Sequence, residues 1–276
     1  ATGIPYAKEA LRPLVGSAKL TVRSYGAEAP EPCDDAILHI VFAAHSPATG
    51  MLVAQVKRMP RPLVIVSLQP RELIHLTVGQ HVELDPADLL VAAPTCSSEE
   101  ERYEGLFTLL GEWVVRTMPD ERLALARAFG FIRAPLAIEI TKATALQNGA
   151  IAAVFFIPGA DLPVITLNQA KMLLEIAAAY DLPLGTARIK ELAVLLAGAF
   201  GCRALARRLI GVIPVLGWAI RGAIGYTATI AVGTAAREYF SHAASPQEVI
   251  DDLKGRAPDI LERIKGALPH AARPRE

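Results

Sequence analysis

Six histidines, three cysteines and 28 carboxylates are the side chains of this chain that could do chemistry. His45 closes an apolar run, at the kind of edge where open α/β sheets bind ligands. Ser46–Gly50 follows it. This turn before a helix has one glycine and no lysine, and it would offer a small anion a few backbone amides. Neither GxxxxGK followed by Ser or Thr nor GxGxxG occurs, so the loops that cradle nucleotide phosphates have no counterpart. His39 lies inside the apolar run and reads as a packed core residue. His75 and His81 are spaced wrongly to place two metal ligands on one helix face. Cys33, Cys96 and Cys202 are odd in number and far apart, which excludes a disulfide framework or a paired metal knuckle and fits a reducing compartment. Cys96 precedes a helix N-terminus that could lower a thiol pKa, although a small loop residue is the simpler role. There is no GxSxG elbow. Glu99, Glu100, Glu101 and Glu104 match the positive end of a helix rather than forming an acid–base pair. No catalytic residue, cofactor site or metal site follows from these spacings.

Small residues are placed more regularly. Ala219, Ala223, Thr227, Ala231 and Ala235 recur every four positions, with Gly225, Thr229 and Gly233 repeating beside them. Such a stripe lets helix backbones approach closely, inside membranes and in tightly packed soluble bundles alike. The run 222–236 lacks formal charge but is shorter than the roughly 20 residues of a full span. Arg221 and Arg237 bracket it, and both could snorkel. Upstream, Arg203, Arg207 and Arg208 precede LIGVIPVLGWAI, which Pro214 and Gly217 interrupt as in an interfacial hairpin. Trp218 and Tyr226 suit interface anchors. Three arrangements stay open: the dry core of a soluble bundle, a shallow hairpin at a membrane surface, and a true span. Ala145–Pro158 shares the ambiguity, with Gln147 and Asn148 making it the poorer spanning segment.

The elements that must position these residues fall into two textures. Hydrophobic residues make up 52% of the 276 and charged residues 20%, which excludes disorder over most of the length. The 28 basic and 28 acidic residues balance, so nothing points to a general nucleic-acid binder. Mean hydropathy is high at +0.34. The first residues lack the basic-then-apolar order of a signal peptide. Residues 1–118 alternate strands and helices: strands over Lys19–Ser24, Asp35–Ala44, Pro62–Ser67 and Asp88–Ala93, helices over 51–59, Pro70–Val78 and Ser98–Thr117. That order predicts a parallel α/β sheet. Ser98 and Glu101 form a capping box. Beyond Met118-Pro119-Asp120 the chain reads as helices: Asp120–Phe129, Ala134–Phe156 after a break at Gly130 and Pro135, a helix opened by a Thr166/Gln169 capping box and running through Tyr180, Thr186–Phe200, Arg203–Val212, Trp218–Ser241, and a last one from Ser245-Pro246-Gln247-Glu248.

The helical half resembles a bacterial helical domain of unsettled role. It is found behind GTPase domains and in YcjF-like inner-membrane proteins. The residues that carry the resemblance are IPGADLPVITLNQAKMLLEIAAAYDLPL (157–184), KELAVLLAGAF, and GCRALARRLIGVIPVLGWAIRGAIGYTATIAVGTAAREYF (201–240). It covers roughly residues 120–242. It implies that residues 35–117 are the back half of a Ras-like GTPase fold, degenerate and shortened. Ser67-Leu68-Gln69-Pro70 stands where such a domain would read guanine with Asn-Lys-x-Asp, so no catalytic residue carries over.

The expected fold is α/β plus all-α. A degenerate GTPase-like domain (1–118) precedes a helical domain with apolar hairpin-like helices (119–242) and a C-terminal amphipathic helix and tail (243–276). The expected function is a non-catalytic membrane-proximal adaptor or scaffold without cofactor. Its partners would be a membrane surface or inner membrane, a GTPase or another protein, or a second copy, and not nucleic acid. It would work in the cytoplasm, free or at the inner face of the cytoplasmic membrane. Arg203, Arg207, Arg208, Pro214, Gly217, Trp218 and Arg221 are the candidate contacts. Ala219, Ala223, Gly225, Thr227, Thr229, Ala231, Gly233 and Ala235 are the candidate packing face. The alternatives are a diverged nucleotide hydrolase using His45 and Ser46–Gly50, and a soluble scaffold that dimerises through the small-residue stripe.

Overall fold

The structure is a computed structural model, and it describes residues 9–15, 19, 37–42, 47–68, 71, 85–92, 98–154, 162–182 and 217–242. Three strands, β1 (His39–Phe42), β2 (Leu63–Ser67) and β3 (Leu89–Val91), form a parallel sheet in chain order. β2 is central, and Val64, Ile65 and Val66 are fully buried, as the continuous apolar run requires of a strand covered on both faces. Helix α1 (Pro47–Val56) lies on the sheet, packing Leu52, Val53 and Val56 against Val41 and Ile65. Of the Asp35–Ala44 run, β1 takes His39–Phe42, residues 37 and 38 precede it, and 35, 36, 43 and 44 lie outside the described residues. The His39 amide donates to the Pro62 carbonyl at 3.0 Å, but Pro62 has no amide to return to a residue upstream, so the ladder starts there. Of Lys19–Ser24, residues 20–24 lie outside the described residues, as does nearly all of Pro70–Val78.

Helix α2 (Glu99–Thr117) begins with both capping-box bonds, Glu101 N to Ser98 Oγ at 3.1 Å and Ser98 N to a Glu101 carboxylate oxygen at 3.4 Å. It buries Tyr103, Leu106, Phe107, Leu110, Trp113 and Val114. The Trp113 indole N–H donates to Asp88 Oδ1 at 3.0 Å, tying α2 to the short 3-10 turn Pro86–Asp88 before β3. Helix α3 (Arg122–Ala128) follows. The Arg133 guanidinium donates to two of the final carbonyls of α3, Ala126 O at 3.2 Å and Arg127 O at 3.3 Å, and the Leu14 amide takes the last, Ala128 O, at 2.7 Å.

Helix α4 (Gly130–Val154) corrects the expected break. Gly130 starts it and Pro135 lies inside it. An interior proline removes one helix bond and costs about 3 kcal/mol or more, so it needs compensation. Gly111 of α2 packs at this point: a Cβ there would stand 2.7 Å from the Phe131 carbonyl oxygen and 2.8 Å from the Pro135 ring. The missing side chain lets α2 close over the carbonyl that Pro135 leaves without its amide.

Helix α5 (Leu162–Ala179) ends in a Schellman arrangement, with Leu182 N bonded to Ala177 O and Asp181 N to Ala178 O, both at 3.1 Å. Asp181 takes the left-handed position, φ 57°. Helix α6 (Gly217–His242) is the last described element. The 186–200 and 203–212 helices and the Ser245 helix lie outside the described residues. The chain divides into two compact units, Ala1–Pro135 and Leu136–Glu276. The described strands all belong to the first, so the architecture is a small parallel α/β unit followed by a helical unit.

Candidate functional site

Within the helical unit, α6 meets α4 through residues that have almost no side chain. A Cβ on Gly225 would lie 2.8 Å from both the Asn148 carbonyl oxygen and the Ala152 Cβ. One on Gly222 would lie 3.2 Å from Gly149 O, and one on Gly149 would lie 3.1 Å from Gly222 O. Gly233 faces Thr141 so closely that any Cβ would collide with its side chain. The glycines of α6 are therefore packed against α4 of the same chain.

A buried polar knot sits in this crossing. Asn148 Nδ2 donates to Thr229 Oγ1 at 3.0 Å, and Gln169 Nε2 of α5 donates to the same oxygen at 3.4 Å. The Thr229 hydroxyl in turn donates to Gly225 O at 2.8 Å. Asn168 Nδ2 completes the set by donating to Asn148 Oδ1 at 3.0 Å. Asn148, Gln169 and Thr229 are all buried, and Thr229 uses its one donor and two acceptor positions. Buried amides and hydroxyls must be paired to avoid a desolvation penalty, and here three helices pair one another. The knot contains no acid, base or activated nucleophile. Its chemistry is to fix α4, α5 and α6 in one register.

The knot also corrects the Thr166/Gln169 capping box. α5 begins at Leu162, so Thr166 already lies inside the helix, where no orphan amide waits for Gln169 to pair with it. Gln169 reaches Thr229 instead. Asn168, Gln169 and the buried Met172, part of the resemblance, thus serve the packing of the three helices.

Arg203, Arg207, Arg208 and Pro214 lie outside the described residues. Gly217, Trp218, Ala219 and Arg221 occupy the first turns of α6, so Gly217 belongs to the helix rather than to a preceding turn. Gly225, Thr229, Gly233 and Ala235 are buried, and Ala223, Thr227 and Ala231 are half-buried. Thr227 Oγ1 bonds back to Ala223 O at 2.7 Å. Near the end of α6, Phe240 packs against Tyr180, ring centroids 6.2 Å apart.

A second feature of the helical unit lies on its surface. α5 buries Ile165, Met172, Leu173 and Ile176 on one face, yet its opposite face is also apolar. Leu167 is 70% exposed, and Val164 and Leu174 stand exposed with it. Lys171 lies in the same row and pairs with Glu175 at 3.6 Å. On α4, Leu146 is 69% exposed and Val154 67%. Sequence reasoning missed this row. Its trace is in the run LPVITLNQAKMLLEI, where apolar residues fall on both sides of the helix instead of along one stripe. Among the described residues, no helix is long and apolar enough to cross a membrane.

In the α/β unit, Pro47–Gly50 form the first turn of α1 with Pro47 at its first position, not a free loop, and Thr49 and Gly50 are buried. His45, Ser46, His75, His81 and the three cysteines lie outside the described residues. His39 opens β1, half-buried, with its Nε2 unpaired. Burial pushes its imidazole below the ordinary value of 6.5. Among the described residues, no three His, Cys, Asp or Glu side chains cluster as metal ligands would. Comparison with protein-family models, with curated proteins and with solved structures finds no match to this chain.

Proposed function

We propose that the chain is a non-catalytic, membrane-proximal adaptor of the GTPase-associated kind: a degenerate, shortened GTPase-like α/β unit joined to a helical unit that docks on an anionic membrane surface. The observation that carries this reading is the exposed apolar row Val164, Leu167 and Leu174 on a helix whose other face is already buried. Fully burying an exposed side chain of this size is worth about 1.5–3 kcal/mol. Val164 and Leu174 are already more than half buried, so Leu167 is the main apolar contact, and the row contributes to surface binding beside the basic residues. Lys171 in the row would lose its exposed partner Glu175 at little cost and meet lipid phosphate. The chain-order parallel sheet is compatible with the back half of a Ras-like fold. Because α4 already packs on Gly225 and Gly233, a dimer through these two residues would first have to displace α4.

Flotation with vesicles tests the reading. The protein should float with phosphatidylglycerol-containing vesicles and not with neutral ones. Leu167→Ser with Leu174→Ser should abolish the part of that binding that survives high salt. Arg203, Arg207 and Arg208 all replaced by Glu should abolish the salt-sensitive part; unchanged binding would remove them from the mechanism. No flotation with any vesicle would overturn the membrane reading and turn the search to protein partners.

A further inference from the structure

The chain has two asparagines, Asn148 and Asn168, and they bond to each other in the knot, Asn168 Nδ2 to Asn148 Oδ1 at 3.0 Å. Asn148 is followed by Gly149. In a flexible chain this pair is the one most prone to deamidate, because glycine puts no side chain in the way of ring closure. The two residues answer separate demands of the fold. Asn148 supplies the donor to Thr229 Oγ1. Gly149 is needed because a Cβ there would stand 3.1 Å from the Gly222 carbonyl oxygen and 3.2 Å from the Tyr226 Cβ.

The same crossing opposes the reaction. Deamidation begins when the Gly149 backbone nitrogen attacks Cγ of Asn148. The Cγ–Nδ2 bond breaks, Nδ2 leaves as ammonia with the proton of the attacking amide, and a cyclic succinimide remains. Water opens that ring at either carbonyl to give aspartate or isoaspartate. Inside α4, the Gly149 amide is directed at the carbonyl four residues back, and this bond fixes the dihedral that ring closure has to rotate. Asn148 is fully buried, with Nδ2 held by Thr229 and Oδ1 by Asn168.

We infer that Asn148–Gly149 is a latent modification site, silent while the knot joins α4, α5 and α6 and deamidated by water alone when the helical unit unfolds. The product cannot rebuild the knot. Aspartate has no Nδ2 to donate to Thr229, isoaspartate adds a backbone carbon to α4, and a buried carboxylate costs more than the amide it replaces. Unfolding of the helical unit thus becomes irreversible with time. The inference is independent of membrane docking, since it rests on the bonding of the knot and the packing of Gly149 alone.

Mass spectrometry of aged protein tests it. The full chain is held at mildly alkaline pH in buffer and in denaturing guanidinium chloride, and the tryptic segment 143–171, which carries both asparagines, is read by fragmentation. In guanidinium, residue 148 should gain one mass unit while Asn168, followed by the bulkier Gln169, stays unchanged. In buffer the loss at Asn148 should be at least about tenfold slower, because it follows the fraction of molecules that are open. Thr229→Val removes the acceptor and should speed the loss in buffer by about 5- to 150-fold. Thr229→Ser keeps the hydroxyl and should stay near the parent rate. Protection smaller than tenfold, equal loss at Asn168, or a rate that Thr229→Val leaves unchanged overturns the inference. Should Thr229→Val fail to fold by circular dichroism, Gln169→Ala decides in the same way: faster loss supports the site and an unchanged rate overturns it. Chains deamidated in guanidinium and returned to buffer should melt below the parent protein, and recovery of the parent Tm overturns the irreversible step.

Discussion

Helices α2 and α6 bury themselves in opposite ways. α2 has one stripe of large apolar side chains, from Tyr103 to Val115, with glutamates crowding its exposed first turn. α6 buries large side chains only toward its end, Val232, Tyr239 and Phe240; before that it presents Gly222 and Gly225, and with Gly233 it brings its backbone against α4. α2 is stabilised by the area it removes from water, α6 by contact between backbones and by a paired polar knot. The first arrangement fails when side chains shrink. The second fails when they grow or when one polar partner is lost.

Five outcomes would sharpen or break that comparison. The largest is Trp113→Ala, which empties a fully buried site and strands Asp88, and should lower unfolding free energy by about 3–5 kcal/mol in urea. Thr229→Val keeps the shape but leaves the Asn148 and Gln169 amides without their acceptor, a loss of about 1–3 kcal/mol. A double-mutant cycle with Asn148→Ala should be strongly non-additive; additive losses would mean that the knot is not a unit. Gly225→Ala adds one methyl group against a backbone oxygen and should cost about 1–3 kcal/mol by thermal melting. The same change at Gly105 of α2, where nothing lies within 4 Å, should stabilise by about 0.5–1 kcal/mol. Opposite signs at the two glycines support the contrast, and equal signs contradict it. The smallest effect belongs to His39. Its folded form prefers the neutral imidazole, so stability is undiminished above pH 6.5 and falls as pH drops from there through the lower value that burial gives the folded imidazole. His39→Gln should flatten that slope relative to the parent protein.

Much of the α/β unit was legible because its determinants are local. The apolar run after Pro62 marks β2, and Ser98 with Glu101 marks the start of α2. Errors came where a distant residue overrides a local rule. Pro135 reads as a helix break until Gly111, on another helix, is seen to accommodate it. Thr166 and Gln169 read as a cap because the pattern is short, while the true partner of Gln169 is Thr229, far along the chain. The four-residue period of α6 is visible in the sequence, but the identity of α4 as its partner is not, since a small-residue stripe fits any close neighbour. The outer row of α5 was hidden for the same reason. An apolar residue shows no preference for core or surface until the core has been filled.

The central claim, that the α5 row meets a membrane surface, is tested most directly by an environment-sensitive fluorophore on Leu167→Cys, with the three native cysteines replaced by Ser. The account predicts a blue-shifted emission on adding phosphatidylglycerol vesicles that persists in high salt, and no shift from the same label at Ala124→Cys in the α/β unit. Emission from position 167 that stays unchanged with anionic vesicles at every salt concentration would contradict it.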